Sequence, residues 1–524
     1  MQKITWDGIG QICANKNVVI YGLGSGIREF LDTVSCEIII TAVIDNDIHK
    51  QGRSLGDLLP EAFGTGRENI VVQGTDILSS YITEETVILV ASSKRSPEIV
   101  QDLKNRRFDS IFVLSDISKP LRSDTGIEQK KRQEYMAYCL NRSIEPGKIL
   151  FLSYANYADH EKYIAEAVMS LKADLDIVWL VNDLDVPMPC GMRKVLRSNW
   201  KKVLYEAETA AMWIADVPVP ENWIKRQGQI YIQTKHWASI TLKKFYLDAA
   251  TFQSEPEKQI LWKRESEMID HIVVGSEFDK ESCKRGFQFD KTFIMAGSPR
   301  SDGLFHSMEN REKVYKYYGL DRETHILLYA PTYRFNREKG KSVHQSREIG
   351  FDYEAVKHVL QQRFGGQWKI ALRLHPSVVS AVDSMRLPDF VFDVSAYEDS
   401  QELISAFDIT VSDFSSLMFE PAFVKKPVFL YALDLDDYLE NEYELLLDYR
   451  ELPFDIAENT EELCSHITNF DKDQYEQRIN TFFDKYDVHE DGGASMRTAE
   501  FILGLLEKQT ADYLLPSINK SVDG

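Results

Sequence analysis

Three predicted strands in the C-terminal half of this 524-residue chain end in polar side chains that could bind a diphosphate. The strands span residues 325–329, 369–374 and 409–411, and the polar residues at their ends are Thr332, Arg334, Arg373, His375, Asp413, Ser415 and Ser416. Carboxyl ends of parallel strands meet at one edge of a sheet, where ligands bind and helix N-termini present unpaired N–H groups. Arginine, histidine and hydroxyl groups there can donate hydrogen bonds to phosphate oxygens. The pattern therefore predicts a phosphate site.

Ser415 and Ser416 occupy a tight turn between the strand 409–411 and a predicted helix over 417–423, which leads into another strand, Val428–Tyr431. This order is typical of a βαβ crossover. Serine is a favoured helix cap, so the two hydroxyls have two interpretations, phosphate ligands or structural caps. Both stay open at this point.

A second chemical cluster follows the predicted strand 229–233, where His236 is succeeded by Thr241, Lys243 and Lys244. A histidine exchanges protons near neutral pH, with an unperturbed pKa of ~6.5, so His236 could act as a general base. The threonine and the lysines could face phosphate or an acceptor. A single histidine at a strand end is also a common structural residue.

Composition restricts the class of protein. The formal net charge of −21 argues against general nucleic-acid binding, and six scattered cysteines without CxxC spacing favour reduced thiols over disulfides or a zinc site. The chain has no apolar run of membrane-spanning length, and its N-terminal residues lack the apolar core of a signal peptide. A cytoplasmic location is therefore expected.

No cofactor is required by these patterns. The phosphate-loop motif of ATPases is absent, which disfavours ATP hydrolysis. Asp434, Asp436 and Asp437 form an acidic run that could attract Mg²⁺, but such a run after a strand is typical of solvated surface. We therefore expect no metal site. A requirement for Mg²⁺ is compatible with the sequence, but no cluster of ligands indicates one.

The chain is expected to fold into α/β domains. Residues 1–118 predict a small Rossmann-like domain, with the strand Asn17–Tyr21, a turn containing Gly22, Gly24 and Gly26, and an acid at Asp45. Ile27 or Arg28 replaces the third glycine of the dinucleotide fingerprint, so a bound NAD is disfavoured and a docking or regulatory role is the alternative.

A charged linker helix over 119–146 follows, and residues 147–305 and 306–524 then form two further lobes, the second with the C-terminal helices. In the first of these lobes the pattern predicts a strand at 148–153, the helix Asp159–Leu171, the strand Asp176–Val181 and a helix over 203–213.

Five motifs give the chain a recognisable resemblance: QTKHWASITLKK, GSPRSD, YAPTYR, LRLHP and DITVSDFSSLMFEPAFVKKPVFLYALDLDDY. In this order they resemble the CDP-glycerol glycerophosphotransferase family, over about residues 147–449. The resemblance implies a GT-B architecture, with two Rossmann-like lobes and the site between them. It also implies transfer of a glycerol or ribitol phosphate from a CDP-activated donor to a polyol or glycan hydroxyl, with release of CMP, in teichoic-acid-like or capsular polymer synthesis.

The resemblance also implies site roles and partners. His236 matches the family's base, His375 matches a second essential histidine at the donor phosphate, and Ser415 and Ser416 match phosphate-binding hydroxyls. Arg300, in GSPRSD, is assigned to the donor phosphates. The partners would be a CDP-polyol donor and a lipid-linked or oligomeric acceptor, reached by peripheral association with the inner membrane face. Nucleic acid is not expected, and an oligomer is compatible with the sequence.

One departure affects the acceptor side: the family pattern W-H-G-T-P reads Lys235-His236-Trp237-Ala238-Ser239 in this chain. Two other functions therefore stay open. A GT-B glycosyltransferase that uses a nucleotide sugar would have the same cleft and would release a nucleoside diphosphate. A non-catalytic nucleotide-binding scaffold would release neither CMP nor a nucleoside diphosphate.

Overall fold

The computed structural model describes residues 12–13, 16–23, 40–48, 50–58, 69–91, 96–114, 126–253, 255–332, 351–374, 387–441 and 444–518. The chain divides into two compact units, Met1–Tyr135 and Met136–Gly524. The predicted glycine turn beyond Leu23, and the predicted site residues Arg334 and His375, lie outside the described residues.

The first unit contains a five-stranded parallel sheet in the order β3-β2-β1-β4-β5. Its strands are β1 (Asn17–Tyr21), β2 (Ile40–Ile44), β3 (Val72–Gln73), β4 (Thr86–Val90) and β5 (Ile111–Val113), and its helices include α1 (Leu55–Leu58) and α2 (Ser96–Asn105). Every residue of β4 is buried, as expected for a strand covered on both faces. This strand order is that of a Rossmann-like sheet, as the sequence predicted.

The second unit begins near the helix α3 (Gly126–Leu140), within the predicted linker, and contains two sheets. The first has seven parallel strands in the order β12-β11-β10-β9-β6-β7-β8. Its strands are β6 (Glu145–Leu152), β7 (Asp176–Val181), β8 (Met192–Leu196), β9 (Ala210–Ala215), β10 (Ile230–Gln233), β11 (His271–Val274) and β12 (Thr292–Met295). The helices of this first lobe are α4 (Asp159–Leu171), α5 (Trp200–Thr209), α6 (Ala250–Gln253), α7 (Pro256–Met268) and α8 (Glu277–Phe287).

The predicted helix over 203–213 is wrong in its second half. Helix α5 begins after Asn199, whose side chain accepts a hydrogen bond from the Lys202 N–H at 3.2 Å, and it ends at Thr209. Residues Ala210–Ala215 then form β9, a fully buried strand between β6 and β10. The apolar run satisfies its backbone groups by pairing with two neighbouring strands, and this tertiary requirement overrides the helical pattern.

The second lobe contains a six-stranded parallel sheet in the order β15-β14-β13-β16-β17-β18. Its strands are β13 (Thr324–Ala330), β14 (Gln367–Leu372), β15 (Val391–Asp393), β16 (Ile409–Ser412), β17 (Val428–Tyr431) and β18 (Asp455–Ala457). Its helices are α9 (Ser307–Tyr318), α10 (Tyr353–Phe364), α11 (Ser400–Ala406), α12 (Phe419–Phe423), α13 (Leu435–Asn441), α14 (Thr460–Thr468) and α15 (Lys472–Lys485). The three strands that were predicted to carry phosphate ligands are adjacent at its centre.

The last helix, α16 (Ala494–Ile518), belongs to the core of the first lobe, although the sequence analysis assigned residues 306–524 to the second. Its Ala499, Ile502 and Leu506 are buried in the same cluster as Ile149 of β6. The chain therefore returns to the first lobe because this helix has an apolar face to bury there. Within the described ranges, none of the helices combines the length and apolar composition needed to cross a lipid bilayer.

Candidate active site

The loop after β10 is folded around a buried lysine that precedes His236. Lys235 is 1% exposed, and its Nζ lies 3.0 Å from Asp279 Oδ2 and donates hydrogen bonds to the carbonyls of Trp237 (3.0 Å) and Ala238 (3.2 Å). A buried ammonium requires such partners. Lys235 also has a backbone φ of 57°, in the left-handed region. The loop thus turns sharply at Lys235 and presents the exposed His236.

His236 has a depressed pKa. Although His236 as a residue is open to solvent, the protein around the ring desolvates it, and this is the largest cause. The charges of Arg300 and Lys235 lower the pKa further, whereas Asp159 acts in the opposite direction. The ring makes an edge contact with Trp237, with 5.1 Å between ring centroids. A neutral imidazole at neutral pH can accept a proton, which fits the predicted role of a general base.

A second histidine, His160 of α4, orients the loop and was not predicted from the sequence. Its Nε2 lies 3.0 Å from the Trp237 carbonyl, and its Nδ1 accepts from the Arg300 backbone N–H at 3.4 Å. Burial lowers the pKa of His160, so the neutral ring donates from Nε2 to the Trp237 carbonyl. His160 therefore fixes the residue that follows His236.

Three carboxylates that the sequence analysis did not connect, Asp159, Glu161 and Asp216, have oxygens within 4.8 Å of one another. Burial and then the charge of Asp159 raise the pKa of Asp216 to about 8, and burial and Asp216 raise the pKa of Glu161. Asp159 pairs with Arg300 at 2.7 Å. Protonation of Asp216 and Glu161 near neutral pH, together with the charge of Arg300, therefore balances the negative charge of the cluster. Carboxylate oxygens in this arrangement could also ligate a hard cation.

Arg300 lies between the two lobes, 7% exposed. Its Nη1 donates to Asp159 Oδ2 at 2.7 Å and to the His236 carbonyl at 3.0 Å, and its Nη2 is 3.1 Å from Glu420 Oε1 in the second lobe. Arg300 was predicted to contact the donor phosphates. In the structure both terminal nitrogens of the guanidinium are instead engaged by protein oxygens.

Asp413 organises the turn after β16. Its Oδ1 accepts hydrogen bonds from the N–H groups of Thr332 and Phe414, both at 2.7 Å, and from the Thr332 hydroxyl. The buried carboxylate thus joins the ends of β13 and β16, two strands whose termini were predicted to meet. Asp413 therefore positions Thr332.

The two serines of the turn have different partners. Ser415 Oγ accepts from the Leu417 N–H at 3.3 Å, which is the contact of a helix cap at the start of the 3-10 turn Ser416–Met418. Ser416 Oγ instead accepts from the Leu242 N–H at 3.0 Å and lies 3.0 Å from Thr241 Oγ1. Ser416 therefore contacts the loop of the first lobe.

Lys243 and Lys244 also join the lobes. Lys243 forms an antiparallel bridge with Leu445, and the Lys244 N–H donates to the Glu444 carbonyl at 2.9 Å. The Lys244 Nζ is 3.7 Å from Glu444 Oε1, and the Lys243 Nζ lies over the ring of Tyr438. Both lysines flank the site, and their predicted contact with phosphate or acceptor stays a prediction.

Arg373, at the end of β14, is turned toward its own lobe. Its Nη1 donates to the carbonyls of Tyr397 at 2.8 Å and Val394 at 3.2 Å, and burial lowers the pKa of the guanidinium. Of the predicted phosphate ligands that the structure describes, Ser416 thus contacts the first lobe, Thr332 is bound by Asp413 within the second lobe, and Arg373 supports the loop after β15.

Residues 134–504 match the family model described as CDP-glycerol:poly(glycerophosphate) glycerophosphotransferase. The chain belongs to this family. The resemblance found in the five motifs is thereby confirmed.

Two curated relatives of this family illustrate the extent of similarity. The teichoic acid poly(glycerol phosphate) polymerase of Staphylococcus epidermidis is 27% identical over 419 residues, which cover 76% of this chain and 57% of the relative. The teichoic acid glycerol-phosphate transferase of Staphylococcus aureus is 31% identical over 369 residues, which cover 66% of this chain and 90% of the relative. The chain thus spans little more than half of the polymerase.

A solved structure shares the fold. The wall teichoic acid polymerase TagF is 24% identical and superposes with a TM-score of 0.63, over 74% of this chain and 97% of that chain. The predicted GT-B-like pair of lobes, preceded by a smaller Rossmann-like domain, is confirmed.

Proposed function

We propose that this chain transfers a polyol phosphate, glycerol phosphate or ribitol phosphate, from a CDP-activated donor to a hydroxyl of a polyol or glycan acceptor and releases CMP. The observation that carries the proposal is the contact between the loop of His236 and the turn of Ser416. Thr241, in the same loop as His236, lies 3.0 Å from the Ser416 hydroxyl. The proposed proton acceptor and the proposed phosphate-binding turn thus belong to segments of opposite lobes that contact each other.

In the proposed reaction the acceptor hydroxyl attacks the β-phosphorus of the donor. A new P–O bond forms as the bond to the bridging oxygen breaks, and that oxygen leaves with CMP. His236 takes the proton of the attacking hydroxyl, a role that its depressed pKa favours because the ring is neutral beforehand.

On the donor side, Ser416 would hold a phosphate oxygen, with His375 as a second predicted contact. Thr332 would join them by turning its hydroxyl from Asp413 to the donor. Ser416 exchanges its contact with Thr241 for one to the donor, so that donor binding alters the junction of the lobes. A hydrogen bond to a charged oxygen is worth ~1.5–3 kcal/mol, more than the ~0.5–1.5 kcal/mol of a neutral pair. The exchange is therefore favourable.

The names of the relatives support glycerol phosphate as the first donor to test. One is called a poly(glycerol phosphate) polymerase and another a glycerol-phosphate transferase, and a variant of TagF has been solved with CDPG. We propose a cytoplasmic enzyme whose acceptor is a lipid-linked or oligomeric polyol phosphate or glycan, met by peripheral association with the inner membrane face.

A donor panel tests this function. The full chain is incubated with CDP-glycerol, CDP-ribitol or a nucleotide sugar, each with and without an oligomeric glycerol-phosphate acceptor, and the nucleotides released are quantified. Acceptor-dependent CMP from a CDP-polyol is expected. Release of a nucleoside diphosphate from the sugar donor would indicate the glycosyltransferase instead, and binding without release of either product would indicate a scaffold.

A further inference from the structure

Arg300 joins the His236 loop to the second lobe through one guanidinium group. Its Nη1 contacts Asp159 at 2.7 Å and the His236 carbonyl at 3.0 Å, while its Nη2 lies 3.1 Å from Glu420. The planar fork of arginine can hold two carboxylates and a carbonyl at once, whereas a lysine ammonium is a single point charge. The side chain is therefore suited to fix three groups in one geometry.

Glu420 connects this arginine to the serine turn. It lies in the first turn of α12, which starts directly after the 3-10 turn Ser416–Met418. Its other oxygen, Oε2, accepts from Gln401 Nε2 at 2.5 Å, so the carboxylate is held within its own lobe as well. A shift of the serine turn is thereby transmitted to Arg300 through a short and buried path.

The charges around Arg300 favour its ion pairs with Asp159 and Glu420. Burial disfavours the charged form of Arg300, but Asp159 and Glu420 outweigh it and raise the pKa of the guanidinium. The backbone of Arg300 is fixed too, because its N–H donates to His160 Nδ1 at 3.4 Å. Removal of the guanidinium would leave the His236 carbonyl, Asp159 Oδ2 and Glu420 Oε1 without this donor.

We infer that Arg300 is a positioning residue that couples the Ser416 turn to the base His236, rather than a ligand of the donor phosphates. The inference rests on the proposed function, in which His236 takes the acceptor's proton. It implies that the base is correctly placed when the second lobe holds Glu420 against Arg300, and that donor affinity depends little on Arg300 itself.

Kinetics of Arg300→Gln, Arg300→Lys and Glu420→Gln test the inference. We expect Arg300→Gln to lower kcat at least about tenfold while the donor Kd from calorimetry changes less than about threefold. Arg300→Lys should recover part of kcat because it keeps the charge, and Glu420→Gln should lower kcat less than Arg300→Gln because Asp159 still holds the guanidinium. Arg322→Gln is the matched control, since its ion pair with Glu312 joins two largely exposed side chains, and it should leave both values unchanged.

A large rise in donor Kd with unchanged kcat in Arg300→Gln would overturn the inference and make Arg300 a phosphate ligand. The ring pKa of His236, followed by NMR of histidine-labelled protein, gives a readout that does not require turnover. The charged groups that act on this ring are Asp159, Lys235 and Arg300. Loss of the positive charge in Arg300→Gln should raise the His236 pKa, whereas Arg300→Lys should raise it less.

A merely structural arginine would lower the melting temperature without moving the His236 pKa or kcat, and that result would also overturn the inference. Failure of the proposed function is distinguishable, because the wild-type chain would then release no CMP from any CDP-polyol. The NMR titration would still test the link between Arg300 and His236. If Arg300→Gln does not fold, Arg300→Lys and Glu420→Gln provide the same comparison.

Discussion

Ser416 Oγ lies 3.0 Å from Thr241 Oγ1, although 175 residues separate them in the chain. The same oxygen accepts from the Leu242 N–H, also at 3.0 Å. The turn proposed to hold the donor phosphate therefore contacts the loop that carries the proposed base. Because a hydroxyl pair of this kind contributes only ~0.5–1.5 kcal/mol, a phosphate oxygen can replace it.

His236→Ala is expected to abolish transfer while the donor Kd changes by only about a few fold, because a base on the acceptor side acts mainly in the transition state. CMP release and calorimetric binding of CDP-glycerol measure the two quantities. His358→Ala, at an exposed position of α10, is the control and should behave as wild type. Loss of donor binding in His236→Ala would move this histidine to the donor side.

Ser416→Ala should weaken donor binding or turnover by ~1–3 kcal/mol, since a charged hydrogen bond to phosphate is lost. His375→Ala is expected to have an effect of the same size, from the predicted contact with the donor. The Kd of CDP-glycerol and kcat for CMP release are the measurements, with Ser465→Ala on the exposed side of α14 as the control. Full activity of both variants would make the serine turn purely structural.

Asp413→Ala should lower the free energy of unfolding by ~2–4 kcal/mol, because it leaves the N–H groups of Thr332 and Phe414 without their acceptor. Denaturant unfolding measures the loss. The control is Asp436→Ala, whose ion pair with Arg450 is exposed and should contribute only ~0–1 kcal/mol. Equal stability of the two variants would show that the turn does not depend on Asp413.

Helices and strands with a clear period could be predicted from the sequence. The helix Asp159–Leu171 and the strands Asp176–Val181 and Val428–Tyr431 have the predicted bounds. Each combines a regular apolar pattern with polar or turn-forming residues at its ends, so local preference and burial agree. By contrast, Ala210–Ala215 became a strand because its neighbours in the sheet required one.

The partners of the site residues could not be predicted, because they depend on contacts between distant segments. Arg300 lies in the motif GSPRSD, but the sequence does not show that Asp159 and Glu420 flank its guanidinium. Ser415 and Ser416 are adjacent and chemically identical, yet one caps a turn and the other contacts the opposite lobe. Only the packing of the lobes distinguishes them.

Stability should fall as the pH rises through the titration of Glu490. Burial raises its pKa from 4.5 to about 8 in the folded chain, where the carboxyl accepts from the Ser298 N–H at 3.2 Å and from the Ser239 hydroxyl. The folded state therefore binds the proton more tightly than the unfolded state. This contribution is fully present below pH 4.5, declines as the pH rises, and is lost above about 8.

Glu490→Gln removes this titration and should flatten the dependence of the free energy of unfolding on pH by about 5 kcal/mol between these limits, since each pKa unit corresponds to ~1.4 kcal/mol. Unfolding curves at several pH values, compared with wild type, measure the difference. Glu309→Gln, at a largely exposed side chain, should keep the wild-type dependence. The same dependence in Glu490→Gln as in wild type would show that another group is responsible.

The first unit should be dispensable for the chemistry. All five family motifs lie after Gly147, and the chain divides into compact units at Tyr135 and Met136, so a chain starting near Ser143 is expected to release CMP from a CDP-polyol. Cys139 of α3 is fully buried, which makes a start at Gly126 the better choice for solubility. The first unit has its own sheet and core, so its removal should affect acceptor handling or assembly rather than the chemistry.

Circular dichroism and CMP release of both truncated chains, beside the full chain, test this independence. The chain from Gly126 should retain the helix α3 and turn over the donor at a rate within about a few fold of the full chain, since no proposed site residue is removed. A folded truncation that binds CDP-glycerol yet releases no CMP would contradict the prediction. The segment from Gly22 to Asp47 would then belong to the active machinery, because its sequence predicts a nucleotide-type turn followed by an acid.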